Sequence, residues 1–155
     1  MATRSTIAIK HGNIIKAIYC HWDGYIEHNG FILDRFYQAS PKVNNLIALG
    51  NLSSLGADIG EKHDFHDKLE HIEIENITHV STQCTFYQRD RGEEKAEFRT
   101  FSSEEAWMDY YDGSGVEYYY LYDKGVWYVS EYRKTFKPLN ELVTKLIDEA
   151  INNGV

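Results

Sequence analysis

The stretch STIAIKHGNIIKAIYCHW, residues 5–22, decides the fold. Ile7 and Ile9 alternate with Ala8 and Lys10, the period of two that sends successive side chains to opposite faces of a strand. Gly12-Asn13 supplies a two-residue turn, so the chain opens with a β-hairpin whose return strand runs from Ile14 to Trp22. A second hairpin comes late in the chain. Val116–Asp123 and Val126–Arg133 flank Lys124-Gly125, and their tyrosines with Trp127 suit a pleated, half-buried surface.

Helices fill the space between and after. Phe31, Ile32, Arg35 and Phe36 predict one that begins near Asn29. Ser40 as N-cap, Pro41 in the first turn and the stripe Val43, Leu46, Ile47, Leu49 predict a second, stopped by Gly50. Ser102 or Ser103 caps a third through Tyr111, with Glu104 and Glu105 at its positive end. Pro138 opens a closing helix with Leu139, Leu142, Val143, Leu146, Ile147 and Ala150 on one face, ended by Gly154. Thr78–Tyr87 has strand composition, with Val80, Thr82, Cys84 and Phe86 on one face. Asn51–Gly60 reads as a loop, and Glu61–Asn76 is polar and His-rich with no clear period. The sum is a single α+β domain over residues 1–155: a mostly antiparallel sheet built from the N-terminal and C-terminal hairpins, with three to four helices packed on it.

Composition narrows the function classes. A chain of 155 residues with 43% hydrophobic content buries a sizeable core, and no apolar run is long enough for a membrane span. The N-terminus carries no apolar signal segment, which predicts a cytoplasmic protein. Cys20 and Cys84 are then expected as free thiols. A net charge of −8 argues against direct nucleic-acid binding, which needs a surface that neutralises phosphates. The same charge is compatible with a DNA mimic or an acidic inhibitor of a protein.

Two stretches concentrate potential chemistry. In the first, His21 and Asp23 stand two apart, so that on a strand they share a face and form a pair suited to acid/base work; Tyr25 and His28 follow. Asn29 and Gly30 read as a turn and helix cap. In the second, Tyr87, Arg89, Asp90 and Arg91 precede Gly92. Two guanidiniums projecting together from an extended chain, one steadied by Asp90, suit an anion, and the tyrosines add rings and hydroxyls. His21, Asp23 and Tyr25 are expected to converge with Tyr87, Arg89 and Arg91 in one concave region, with Arg89 and Arg91 exposed, and His28 and Asp90 count with them as ligand-binding residues. His63, His66 and His71 match no zinc spacing, so no metal is expected, and no phosphate-loop, dinucleotide or nucleophile-elbow signature implies a cofactor or a common enzyme.

The motifs YCHWDGY (19–25), HNG (28–30), NLSSLG (51–56) and CTFYQRDRGE (84–93), after the opening ATRSTIA (2–8), resemble small proteins of tailed bacteriophages and prophages, over most of the chain. That family has no assigned activity. The resemblance implies a host-cytoplasmic, counter-defence setting: a binder of a small anionic, nucleotide-derived signal, with no catalytic residue assigned. The alternatives are a phosphodiester-cleaving enzyme using His21 and Asp23, and an acidic protein-binding inhibitor acting on a host defence protein. Assembly into homo-oligomers is compatible with each.

Overall fold

The opening hairpin forms as its turn dictates. In a computed structural model that describes residues 2–75 and 77–153, β1 (Ser5–His11) and β2 (Ile14–Cys20) pair antiparallel, Ser5 opposite Cys20 and His11 opposite Ile14. The chain then makes a π-helical turn (Ile26–Gly30) that runs straight into α1 (Phe31–Phe36), followed by α2 (Ser40–Ala48) and β3 (Leu52–Ser54). A small hairpin, β4 (His71–Ile74) and β5 (Thr78–Ser81), stands apart as a two-stranded sheet. Next come β6 (Thr85–Phe86), α3 (Tyr87–Arg91), β7 (Arg99–Phe101) and α4 (Glu104–Asp112). The second hairpin, β8 (Tyr118–Asp123) and β9 (Val126–Glu131), leads through β10 (Lys137–Pro138) to α5 (Leu139–Asn152).

The main sheet has eight strands in the order β10-β9-β8-β1-β2-β3-β6, with β7 also on β2. It is α+β and mixed. The two hairpins meet through a parallel pairing of β1 with β8, from Ser5 beside Tyr118 to Ile9 beside Tyr122, and β2 meets β3 in parallel at Cys20 and Leu52. The other pairings of this sheet are antiparallel.

Strand alternation sorts the core into two layers. Ile7, Ile9, Ile18, Cys20, Tyr120 and Val129 face α1, α2 and α5, which contribute Phe31, Ile32, Leu46, Leu139 and Val143 among others. Ala8, Ile15, Ala17, Tyr119 and Leu121 face α4, which covers them with Trp107 and Tyr111. The Trp107 indole donates to Thr6 Oγ1 (3.0 Å), which in turn donates to the Ile18 carbonyl (2.8 Å), so the second layer is closed by a satisfied polar link. Both thiols are free and buried; burial pushes Cys20 up to about 12 and Cys84 up to about 11.

Several elements differ from the sequence expectation. The described residues hold five helices; the fifth is α3, which begins where the Thr78–Tyr87 strand was expected to end. That strand is divided, because the loop after β3 crosses it. Gly56 lies so close to the Gln83 backbone that a Cβ would stand 2.2 Å from the Gln83 carbonyl carbon, and Asp58 bridges Gln83 in parallel. The return strand ends at Cys20, since Asp23 turns the chain with φ +57. Ala39, with no side-chain cap, takes the N-cap position expected of Ser40, whereas Ser103 does cap α4, accepting from the Ala106 amide at 3.1 Å. On α5, Leu139 and Val143 are buried while Leu142, Leu146 and Ile147 are half-buried. Gly154, read as the helix stop, lies outside the described residues. No described helix is long and apolar enough to cross a membrane.

Candidate functional site

The same alternation that builds the second layer continues past its apolar part. Tyr19 follows Ala17 on that face of β2, and His21 extends the series as its amide bonds the Leu52 carbonyl (3.1 Å). Arg99, opposite Ala17 on β7, shares the face. Arg4 completes the group from the segment before β1. Its guanidinium stands beside the Tyr19 hydroxyl and acts on His21, and Gly115, at φ +77, leaves it room: a Cβ there would stand 3.3 Å from Arg4 Nη1.

A cleft opens here because one edge of β2 serves two strands. β7 pairs with Ile15–Ala17 and β3 with Cys20, so a fork lies between them at Tyr19. Asn51 bridges the fork: its Oδ1 accepts the Tyr19 amide (2.9 Å) and its carbonyl accepts the Tyr87 amide (3.2 Å). The cleft, about 240 Å³, is lined by Tyr19, Asn51, Arg99, Tyr110, Tyr111 and Ser114. Side-chain and backbone groups from both branches converge here without filling the space.

The lining is rich in donors and holds no carboxylate. The Tyr19 hydroxyl and His21 Nδ1 share a hydrogen bond (2.8 Å). Partial burial, then Arg4, hold the His21 pKa below its ordinary value, which favours the neutral ring. Burial raises the Tyr19 pKa against the opposing pull of Arg4. The Arg99 guanidinium lies over the Tyr110 ring, 4.6 Å from its centroid. Of the six arginines in the chain, Arg35, Arg89, Arg91 and Arg133 pair with carboxylates. Arg4 and Arg99 do not pair among the described residues; Arg99 lines this cleft, and Arg4 stands at its edge, next to Gly115.

The residues singled out from sequence are dispersed into three roles. Tyr87 lies beside the cleft, its amide on the Asn51 carbonyl and its hydroxyl beside Ser53, and His21 lies at the cleft edge, bonded to the Tyr19 hydroxyl. His21 and Asp23 do not form a pair: Asp23 accepts from the Tyr25 hydroxyl (3.2 Å) and faces His28 Nε2 at 4.0 Å. Asn29, expected as a cap, is instead wholly buried; its side chain joins His28 Nδ1, Ser5 Oγ, the Cys20 thiol and the Trp22 carbonyl.

Arg89 and Arg91 sit on a helix, not an extended chain, and point apart. Arg89 is spent internally, on Asp90 (Nε 2.9 Å, Nη2 3.1 Å) and on the carbonyls of Ile59, Gly60 and Cys84 at 3.0–3.1 Å. The Asp90 side chain is fully buried and also accepts the amides of Phe86 (2.8 Å) and His63 (3.0 Å). Arg91 is exposed, pairs with Glu93, and lies over the rings of Phe65 and Tyr87, which stack on one another. Among the described residues no three His, Cys, Asp or Glu side chains are grouped to hold a metal ion.

Comparison with family models, curated proteins and solved structures gives no match. The site must be read from its own chemistry.

Sequence reasoning missed Arg4 and Arg99. For Arg4 a signal existed: the two-residue turn sets His11 opposite Ile14, and counting outward along the hairpin puts Arg4 across from His21. Arg99 offered none, since three-residue β7 has no periodicity to read.

Proposed function

We propose that this protein binds and sequesters a small phosphate-bearing, nucleotide-derived ligand in the cleft at the β3/β7 fork. The observation that carries the reading is the placement of Arg4 and Arg99. In a chain of net charge −8, with 24 acidic residues, the two arginines that have no carboxylate partner among the described residues meet at this cleft, Arg99 in its lining and Arg4 at its edge beside Tyr19 and Gly115. An anion supplies the missing counter-charge, and a phosphate matches the planar fork of guanidinium donors. The tyrosines add hydroxyl donors and ring faces for the remainder of a nucleotide.

Binding is favoured over phosphodiester cleavage by the separation of His21 from Asp23. The acid/base pair that cleavage would use is not assembled, because Asp23 is committed to Tyr25 and His28. The motif resemblance to small phage proteins supplies the setting of this proposal: capture of a host signalling nucleotide in the infected cell's cytoplasm, as counter-defence.

The test is native mass spectrometry of protein expressed in a host whose defence produces nucleotide signals. The expected result is a co-purified nucleotide, released intact by heating and absent from Arg4→Ala and Arg99→Ala variants. Release of cleaved products instead would make the protein an enzyme. Failure of every common nucleotide to co-purify or to bind at millimolar concentration would overturn the reading.

A further inference from the structure

The second stretch that the sequence singled out lies beside the cleft and is not used by it. Asn51 holds Tyr87 next to Tyr19, one amide on its side chain and the other on its carbonyl. Ser53 stands beside the Tyr87 hydroxyl, and the Tyr87 phenol is close enough to Tyr19 to act on its ionisation. Beyond Tyr87 stands a further cation. Arg91 lies 4.9 Å from the Tyr87 ring centroid and 4.8 Å from that of Phe65, steadied by Glu93 on one side.

The order across this face is therefore guanidinium, phenol, phenol, guanidinium: Arg4 with Arg99, then Tyr19, Tyr87 and Arg91. A single phosphate needs only the first group. We infer, resting on the reading proposed above, that the ligand is a dinucleotide: one phosphate at Arg4 and Arg99, a second that takes Arg91 from its exposed partner Glu93, and the nucleoside between them against Tyr19 and Tyr87. Its two phosphates take separate guanidiniums, which no mononucleotide with one phosphate can do at once. The cleft alone, about 240 Å³, falls short of the roughly 300–1,000 Å³ typical of ligand pockets, so part of the ligand lies outside it, along this face. A longer strand is disfavoured by the net charge of −8, which opposes accumulation of phosphates beyond these two positions.

The test compares affinities by titration calorimetry. The probes are the four ribonucleoside 5′-monophosphates, the matching linear and cyclic dinucleotides, and octanucleotides. The best dinucleotide is expected to bind at least about 10-fold more tightly than its mononucleotide. Arg91→Ala should bring that ratio to about one, Arg91→Lys should restore part of it, and Arg4→Ala should weaken both ligands. A ratio near one in the unaltered protein, or a ratio that survives Arg91→Ala, overturns the dinucleotide while leaving the anion cleft standing. An octanucleotide that binds more tightly than any dinucleotide overturns it in favour of a strand-binding track. Absence of binding by all probes defeats the cleft reading and this inference together.

Discussion

At the scale of single residues, the arginines divide sharply by what their donors touch. Arg89 is a fastener: its donors are satisfied inside the chain by a buried carboxylate and three carbonyls. Removing it strands the Asp90 charge, so Arg89→Ala should cost about 3–5 kcal/mol of stability, against less than about 1 kcal/mol for Arg4→Ala. Urea denaturation of the two variants checks this, and it reverses the sequence expectation that Arg89 is exposed and dispensable to the fold.

His63 belongs to the same fastening. Its Nε2 meets the Cys84 carbonyl (3.0 Å) and Asp90 Oδ2 (3.5 Å), and its Nδ1 meets the Asp64 carbonyl (2.7 Å), so both nitrogens face oxygen and only the imidazolium satisfies both. Burial pulls its pKa down, but these oxygens outweigh burial and raise it, while Arg89 opposes them. Asp90 is the reverse: burial pushes it up, and Arg89 with the Phe86 and His63 amides holds it below its ordinary value. The contribution of His63 is therefore full below about pH 6.5 and lost as pH rises through its raised pKa. That of Asp90 is full above about pH 4 and lost as pH falls through its lowered one. Amide protection in residues 58–65, relative to the unfolded chain at the same pH, should be greatest between those limits. Protection that keeps rising toward pH 9 would exclude this role for His63.

At the scale of elements, legibility followed periodicity and length. The opening hairpin, the late hairpin, α2, α4 and α5 were readable because each carries a turn, a cap or an apolar stripe over several residues. What failed to show were short pieces fixed by distant partners: β3, β7 and α3 span three to five residues each. α3 exists because the Asp90 carboxylate reaches back to the Phe86 amide, and Gly92 closes it at φ +72. The candidate site suffered for the same reason, since the Arg89–Arg91 reading assumed a strand where a helix turns the two side chains apart. Burial along α5 sets a further expectation. Leu139→Ala, at a fully buried position, should cost about 2–5 kcal/mol, and Leu142→Ala, half-buried, clearly less; equal shifts in denaturation midpoint would contradict the packing.

At the scale of the whole molecule, both faces of one sheet are roofed, by α1, α2 and α5 on one side and α4 on the other. Cys20 and Cys84 lie in the larger layer with no exposed surface. Neither should react with a thiol reagent in the native protein, and both should react together on unfolding, because one core shields them. A thiol that labels rapidly without denaturant would show that this layer opens by itself.

The parallel seam between β1 and β8 has a consequence for synthesis. β1 is synthesised well before its partner on that side, Tyr118–Tyr122, which is translated more than a hundred residues later. Until then a run as apolar as Ile7-Ala8-Ile9 offers unpaired amides and carbonyls to any passing strand. Chains stopped near residue 115 should therefore form aggregates in cells and sediment in the insoluble fraction, while chains that include β8 and β9 remain in the supernatant. Adding a separate peptide covering residues 116–133 to the refolding truncated chain should reduce its sedimentation by capping that edge.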